Sequence, residues 1–316
     1  VAVIGTGASA IQVVPEIAPR VASLAVFQRT PPWIVPKLDR TIGTREQDRF
    51  RRWPLLQKLA RHRLYWQHEL LAYGFVVDPR VMRLASRLVR RHLTQSVADP
   101  ELRRKLLPSY TLGCKRILLS NDYYQTLERD NVELVTDPIE RIVPEGIRTR
   151  DGRVRQLDAI VLATGFQAAE AVAPFPIPGP RGPDFAAEWT DGGGAYLGTA
   201  VSGFPNLFVI VGPNTGLGHS SMVFMIEAQI RYVMGCIRML RERDLGWVDV
   251  KREVQASYND ELRARLERTV WSTGCSSWYR TRSGKNTTLW PSFTFDFWRR
   301  TRRFDTESYR LQAPSG

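Results

Sequence analysis

Three clusters in this sequence combine residue types and spacing that suit chemistry. The first is Gly5-Thr6-Gly7-Ala8-Ser9-Ala10, a GxGxxG/A run between an apolar stretch and an amphipathic one. In such a run the first glycine permits a tight turn and the second lets the backbone approach a pyrophosphate. The small third residue lets helix and strand pack closely, and N–H groups at the helix start face the anion. The second cluster is Arg29-Thr30, just beyond the next apolar run. An NAD site carries Asp or Glu about 20 residues after the glycines. Here no acidic residue occurs between Glu16 and Asp39. A guanidinium at that place suits a ribose 2′-phosphate, so the pattern points to NADP rather than NAD. The third cluster is Lys115-Arg116, read as the start of a strand. Adjacent strand residues point to opposite faces, so one cation would reach the 2′-phosphate and the other a reaction centre. A basic strand edge is the alternative reading of that dipeptide.

These clusters need elements to hold them. Residues 1–4 read as a buried parallel strand, 9–20 as a helix and 24–27 as a second strand. That is a β-α-β unit, for which a right-handed crossover is expected. Residues 41–107 change character: they are Arg-rich, with apolar residues such as Leu56, Leu59, Leu64, Leu70 and Leu71 at helical spacing. The α/β pattern resumes with strands expected over 115–119, 132–135, 139–143, 147–150 and 157–163, and a helix near 121–129. A Pro/Gly-rich loop follows at 175–180, then a buried strand over 207–211 and a long apolar helix from Ser221 to about Leu240.

Composition narrows the function classes. A chain of 316 residues suggests about two domains. Its apolar fraction of 43% is ample for packed cores. No window approaches the ~18 uncharged apolar residues of a membrane-spanning helix. Cys114, Cys236 and Cys275 are odd in number and widely spaced, so neither a disulfide framework nor a CxxC redox or zinc site is expected. A reducing, cytoplasmic setting is therefore the default reading. The net charge of +13 suggests nucleic acid until it is located. Residues 40–108 carry 16 basic and 6 acidic side chains, a net +10, so most of the excess is one helical segment. A solvated Arg-rich face is the plainer reading, and no nucleic-acid partner is expected.

Taken together, the motifs resemble the class B flavoprotein monooxygenases, and within them the Baeyer–Villiger monooxygenases. The matching stretches are Val3–Gln12, Phe27–Pro32 (FQRTPP), Gly113–Arg116 (GCKR) and Val161–Phe166 (VLATGF). They continue with Gly203–Glu227, Gly274–Tyr279 (GCSSWY) and Asn286–Phe293 (NTTLWPSF), in family order and over nearly the whole chain. The resemblance implies an α/β, two-dinucleotide-binding-domain (Rossmann-like) flavoprotein with a helical insertion. The implied divisions are an NADP-binding domain in two parts (1–40 and 109–157), the insertion (41–108) and the C-terminal part of an FAD-binding domain (158–316). The implied cofactors are NADP and FAD.

The resemblance also implies residue roles. Gly5, Thr6, Gly7, Ala8, Ser9 and Gln12 fall on the pyrophosphate and nicotinamide side of the NADPH site. Arg29, Thr30 and Lys115 match positions that hold the 2′-phosphate, and Arg116 matches the catalytic arginine. An always-charged guanidinium suits that role, because a C4a-peroxyflavin anion needs stabilising until it attacks a carbonyl. Thr164 and Gly165 belong to the ATGF link. Asn214 and Met222 flank the loop and helix start facing the flavin, and Trp278 matches an aromatic that closes over the nicotinamide. His219 reads as structural. The implied reaction inserts one oxygen of O2 into a ketone, giving an ester or lactone.

The family's first GxGxxG and its FxGxxxHxxxWP signature are absent from the sequence. The chain therefore reads as N-terminally truncated, expected alone to bind FAD poorly and turn over little. The rival readings are an N- or S-oxygenating flavin monooxygenase, a disulfide reductase, which the missing CxxC opposes, and a non-catalytic nucleotide or nucleic-acid binder.

Overall fold

Short apolar runs bounded by glycine and proline form the strands, and longer amphipathic runs form the helices. The computed structural model describes residues 1–166, 175–180, 184–189, 191–275 and 277–314. In chain order the first elements are β1 (Ala2–Ile4), α1 (Ala10–Ile17), β2 (Leu24–Phe27), β3 (Ile34–Val35), α2 (Thr44–Arg52), α3 (Pro54–Val76), α4 (Pro79–Ser96) and α5 (Pro100–Leu106). Next come β4 (Leu118–Leu119), α6 (Tyr123–Leu127), β5 (Val132–Val135), β6 (Ile139–Val143), β7 (Gly146–Thr149), β8 (Val154–Gln156) and β9 (Ile160–Leu162). The last are α7 (Phe185–Glu188), α8 (Met222–Glu242), β10 (Trp247–Val250), α9 (Arg252–Leu266), α10 (Thr294–Thr301) and β11 (Tyr309–Gln312).

The chain divides into two units, residues 1–41 with 82–166 and residues 42–81 with 167–316. The first unit is built on a four-stranded parallel sheet of order β5-β2-β1-β9. All four residues of β2 are buried, as a strand covered on both faces requires. The chain leaves β1 toward β2, whereas β9 lies on the other side of β1. Strand order thus reverses beside β1, and open α/β sheets bind ligands in the crevice beyond such a point. The glycine loop emerges there. An antiparallel meander, β6-β7-β8, completes this unit with the short parallel pair β3-β4. The meander is clamped by Arg155, which is buried and donates to both oxygens of Glu133 (2.9 and 2.8 Å) and to Thr149 Oγ1 (3.0 Å).

In the second unit α8 buries one face through Met225, Ala228, Gln229, Tyr232, Cys236 and Met239. The spacing is helical, and Trp290, Phe297, Leu262 and the antiparallel pair β10-β11 share that core.

Several sequence expectations differ from the structure. Lys115 and Arg116 do not lie on a strand; β4 contains Leu118 and Leu119 alone. Its partner β3 is bounded by Pro36, which has no N–H to continue the ladder. Residues 207–211 do not form a buried strand either, since only Phe208 bridges, to Ala200. Asn206 and Val211 adopt left-handed φ of 59° and 58°, which breaks the extended run at both ends. Cys236 is a buried free thiol on α8. Among the described residues no helix is long and apolar enough to cross a membrane.

Candidate functional site

The glycine loop is held against the end of β9. Gly5 has φ of +113°, and a Cβ there would lie 2.3 Å from the Ala163 carbonyl oxygen. Its N–H donates to Phe27 O (3.0 Å), while Ala163 N donates to Ile4 O (2.9 Å). Thr164 and Gly165 follow directly, so the ATGF segment and the glycine loop adjoin within one unit. Gly165 has φ of +90° with nothing near its would-be Cβ. Gly7 contrasts with Gly5: nothing lies within 4 Å of a Cβ built there. Ser9 caps α1 without a side-chain hydrogen bond. Among the described residues no acceptor takes the N–H groups of Gly7, Ala8 or Ser9. Gln12 donates to Ala8 O (2.6 Å) across the loop, and buried Thr6 donates its hydroxyl to Thr30 O (3.2 Å). An open backbone with free N–H groups at a helix start fits a pyrophosphate.

Arg29 follows β2. Its neighbour Gln28 is buried and donates to Lys105 O (2.8 Å), fixing where the strand ends. Lys115 is half-buried in the bend before β4, and Arg116 beside it is exposed. Burial pushes the Lys115 ammonium down from its ordinary pKa, and the charge of Arg29 pushes it further the same way. The charge of Arg29 is thus felt at Lys115. Among the described residues neither has a carboxylate partner, nor does Arg116. A pair of like charges without a counter-ion is costly unless an anion is to join them.

In the second unit the loop before α8 is fixed by its own chain. Asn214, with φ of 56°, donates its amide to Asn286 O and Leu289 O (3.0 Å each). Its backbone N–H donates to Thr287 O (2.7 Å). Asn214 therefore holds the loop's shape, with both side-chain N–H groups engaged. Gln229, fully buried on α8, donates to Gly198 O (2.8 Å) and Thr199 Oγ1 (2.9 Å) and accepts from Val211 N (3.0 Å). Met222 is the first residue of α8, whose N-cap Ser221 makes no side-chain hydrogen bond. Trp278 is 45% exposed, its ring 4.4 Å from that of Tyr279. His219 is buried, 3.8 Å from the Glu69 carboxylate, with neither ring nitrogen hydrogen-bonded among the described residues.

No protein-family model matches the chain. A Baeyer–Villiger monooxygenase of Pseudomonas aeruginosa is 51% identical over 313 residues, which is 98% of this chain and 59% of that protein. This chain belongs to the Baeyer–Villiger monooxygenase family. A second member, from Streptomyces coelicolor, is 40% identical over 100% of this chain and 61% of its own length. An oxidized steroid monooxygenase bound to NADP superimposes with a TM-score of 0.82 at 26% identity, covering 99% of this chain and 66% of that one. The chain thus spans about three fifths of the length of its curated Baeyer–Villiger relatives.

Two parts of this Baeyer–Villiger chain escaped the motif reading. Glu69 is 2% exposed and accepts from Thr294 N (2.6 Å) and Thr294 Oγ1 (2.7 Å), capping α10. Burial pushes its carboxyl up, but His219 and Thr294 more than offset this and hold it below the ordinary carboxylate range. The signal was present: Glu69 is the lone acid between Asp48 and Asp78 in an Arg-rich stretch. The other part is Tyr110, whose ring lies beneath Lys115. It precedes the GCKR motif and matches no pattern of its own.

Proposed function

We propose that this chain carries the NADP-binding domain and part of the flavin-binding domain of an NADPH- and FAD-dependent Baeyer–Villiger monooxygenase. The supporting observation is that Arg29 and Lys115 have no carboxylate partner among the described residues, while Thr30, next to Arg29, accepts from Thr6 of the glycine loop at the point where strand order reverses. Residues 1–40 and 109–157, together with β9, which pairs with β1 in the same sheet, form the NADP domain; 41–108 is the insertion, and the flavin side follows β9. Gly5, Thr6, Gly7, Ala8, Ser9 and Gln12 bind the pyrophosphate and nicotinamide side. Arg29, Thr30 and Lys115 hold the 2′-phosphate, which fits two cations that have no side-chain hydrogen bond to an acceptor among the described residues. Asn214 shapes the loop and Met222 opens the helix turned to the flavin. The uncapped start of α8 fits a polar cofactor edge. Thr164 and Gly165 link the two dinucleotide sites, and Trp278 meets the nicotinamide.

The flavin, when bound, supplies the activation of O2. Arg116 is the catalytic residue of this proposal. Its guanidinium is exposed and permanently charged, and it stabilises negative charge on oxygen during transfer to a ketone, giving an ester or lactone. A cytoplasmic setting, where NADPH is regenerated, completes the reading. The test uses the protein from its complete reading frame with a cyclic ketone and a thioether. One lactone formed per NADPH consumed supports it. Sulfoxide alone assigns heteroatom oxygenation instead, and no NADPH oxidation with either substrate overturns it.

A further inference from the structure

The cation above Tyr110 belongs to a longer stack. The Lys115 ammonium lies 4.8 Å from the Tyr110 ring centroid. Trp33 meets that ring edge-on at 6.5 Å and 78°, and its Nε1–H donates to the Tyr110 carbonyl at 2.9 Å. Trp33 is only 3% exposed, and on it rests the Arg90 guanidinium of α4, 5.6 Å from the ring centroid. The order is cation, indole, phenol, cation, all within the first unit.

We propose that Tyr110 is a positioning residue for Lys115, and that this uncharged side chain sets the preference for a 2′-phosphorylated dinucleotide. The inference rests on the NADP reading above. Lysine is a flexible point charge with four rotatable side-chain bonds, so an unheld ammonium loses entropy when it meets a phosphate. Among the described residues no oxygen holds this one. The phenol ring is its partner, and distances under about 6 Å bring ring attraction into play. The negative ring face also opposes the repulsion between Lys115 and Arg29. A ring contact consumes none of the three N–H donors outright, which leaves them for phosphate oxygens. Trp33 fixes the phenol from its edge and through the backbone, and Arg90 lies on Trp33 in turn. A helix of the insertion thereby bears on cofactor choice.

The test is calorimetric binding of NADP+ and NAD+ to this chain, with Tyr110→Phe and Tyr110→Met. The Trp33 bond goes to the Tyr110 backbone, so neither substitution removes it. Tyr110→Phe keeps a ring face and is expected within about twofold of the parent. Tyr110→Met keeps volume without a face, and NADP+ affinity is expected to fall about threefold to thirtyfold, with NAD+ within about twofold. An unchanged NADP+/NAD+ ratio in Tyr110→Met overturns the inference, as does equal loss of both ligands, the mark of a structural role. If the parent chain itself does not discriminate, the NADP reading falls and takes this inference with it, a failure seen in the baseline rather than in the variant. Should Tyr110→Met not accumulate folded, lysine-methylene NMR of the parent decides. An upfield-shifted Lys115 resonance that moves with NADP+ but not NAD+ supports the inference, and an unshifted or unresponsive one overturns it.

Discussion

The two glycines of the loop should fail in different ways. Gly5→Ala places a methyl 2.3 Å from Ala163 O and 2.9 Å from Ala163 C, both backbone atoms just past the end of β9, at φ of +113°. Backbone strain at such a φ costs about 1–3 kcal/mol. Forcing an atom into a packed contact costs about 1–3 kcal/mol more. The sum, about 2–6 kcal/mol, should lower the melting temperature of a unit this size by roughly 5–20 °C. Gly7→Ala meets nothing within 4 Å and has no positive φ. Its stability should therefore stay within about 1 kcal/mol of the parent. Its methyl instead enters the open space assigned to the pyrophosphate, so NADP+ affinity should fall at least about tenfold. Thermal unfolding and calorimetric binding on the same samples read both effects. A Gly5→Ala protein melting within about 2 °C of the parent, or a Gly7→Ala protein binding NADP+ normally, would refute this division of labour.

Two further perturbations address the scaffold. The Arg155 hydrogen bonds hold the Glu133 carboxyl below its ordinary pKa against burial, which pushes it up. A depressed folded-state pKa contributes stability above the unfolded value, about 4.3, that is lost as pH falls through the folded value. Acid unfolding should therefore include a Glu133 component. Glu133→Gln should flatten the stability–pH curve below about pH 4.5, and an unchanged acid limb in denaturant titrations would remove Glu133 from the account. Glu69→Ala should cost about 2–4 kcal/mol, because it leaves Thr294 N buried without an acceptor and α10 uncapped. Glu69→Gln, which still accepts from Thr294 N, should cost less than half as much in urea unfolding; equal costs would show that the cap is not what matters.

The β-α-β unit was legible because each signal agreed: buried apolar runs of strand length, glycines at the turn, an amphipathic segment between. The proposed NADP preference rests on two sequence signals, a missing acid and a present arginine. The placement of Lys115 and Arg116 was not. Apolar residues from Ile117 onward suggest a strand, but its length depends on a partner whose two residues end at Pro36. Periodicity announced α3 yet not its buried face. Leu59, Leu64, Leu70 and Leu71 are exposed, whereas Glu69, Ala72 and Phe75 are buried. Which face is covered depends on Thr294, His219 and Trp271, far along the chain, and an acid at the centre reverses the usual pattern. Tyr110 was invisible for a related reason. An aromatic in a loop signals nothing until the ammonium it carries is placed above it.

The central claim is that Arg29 and Lys115 form a 2′-phosphate site. Its most direct test is the ratio of NADP+ to NAD+ dissociation constants for the parent chain and for the doubly substituted Arg29→Leu, Lys115→Leu chain. Hydrogen bonds to charged groups contribute about 1.5–3 kcal/mol each, so the double substitution should weaken NADP+ binding by about a hundredfold or more. NAD+ binding should change by less than about threefold. Equal affinities of the parent for NADP+ and NAD+, or a parallel loss of both in the variant, would contradict the account.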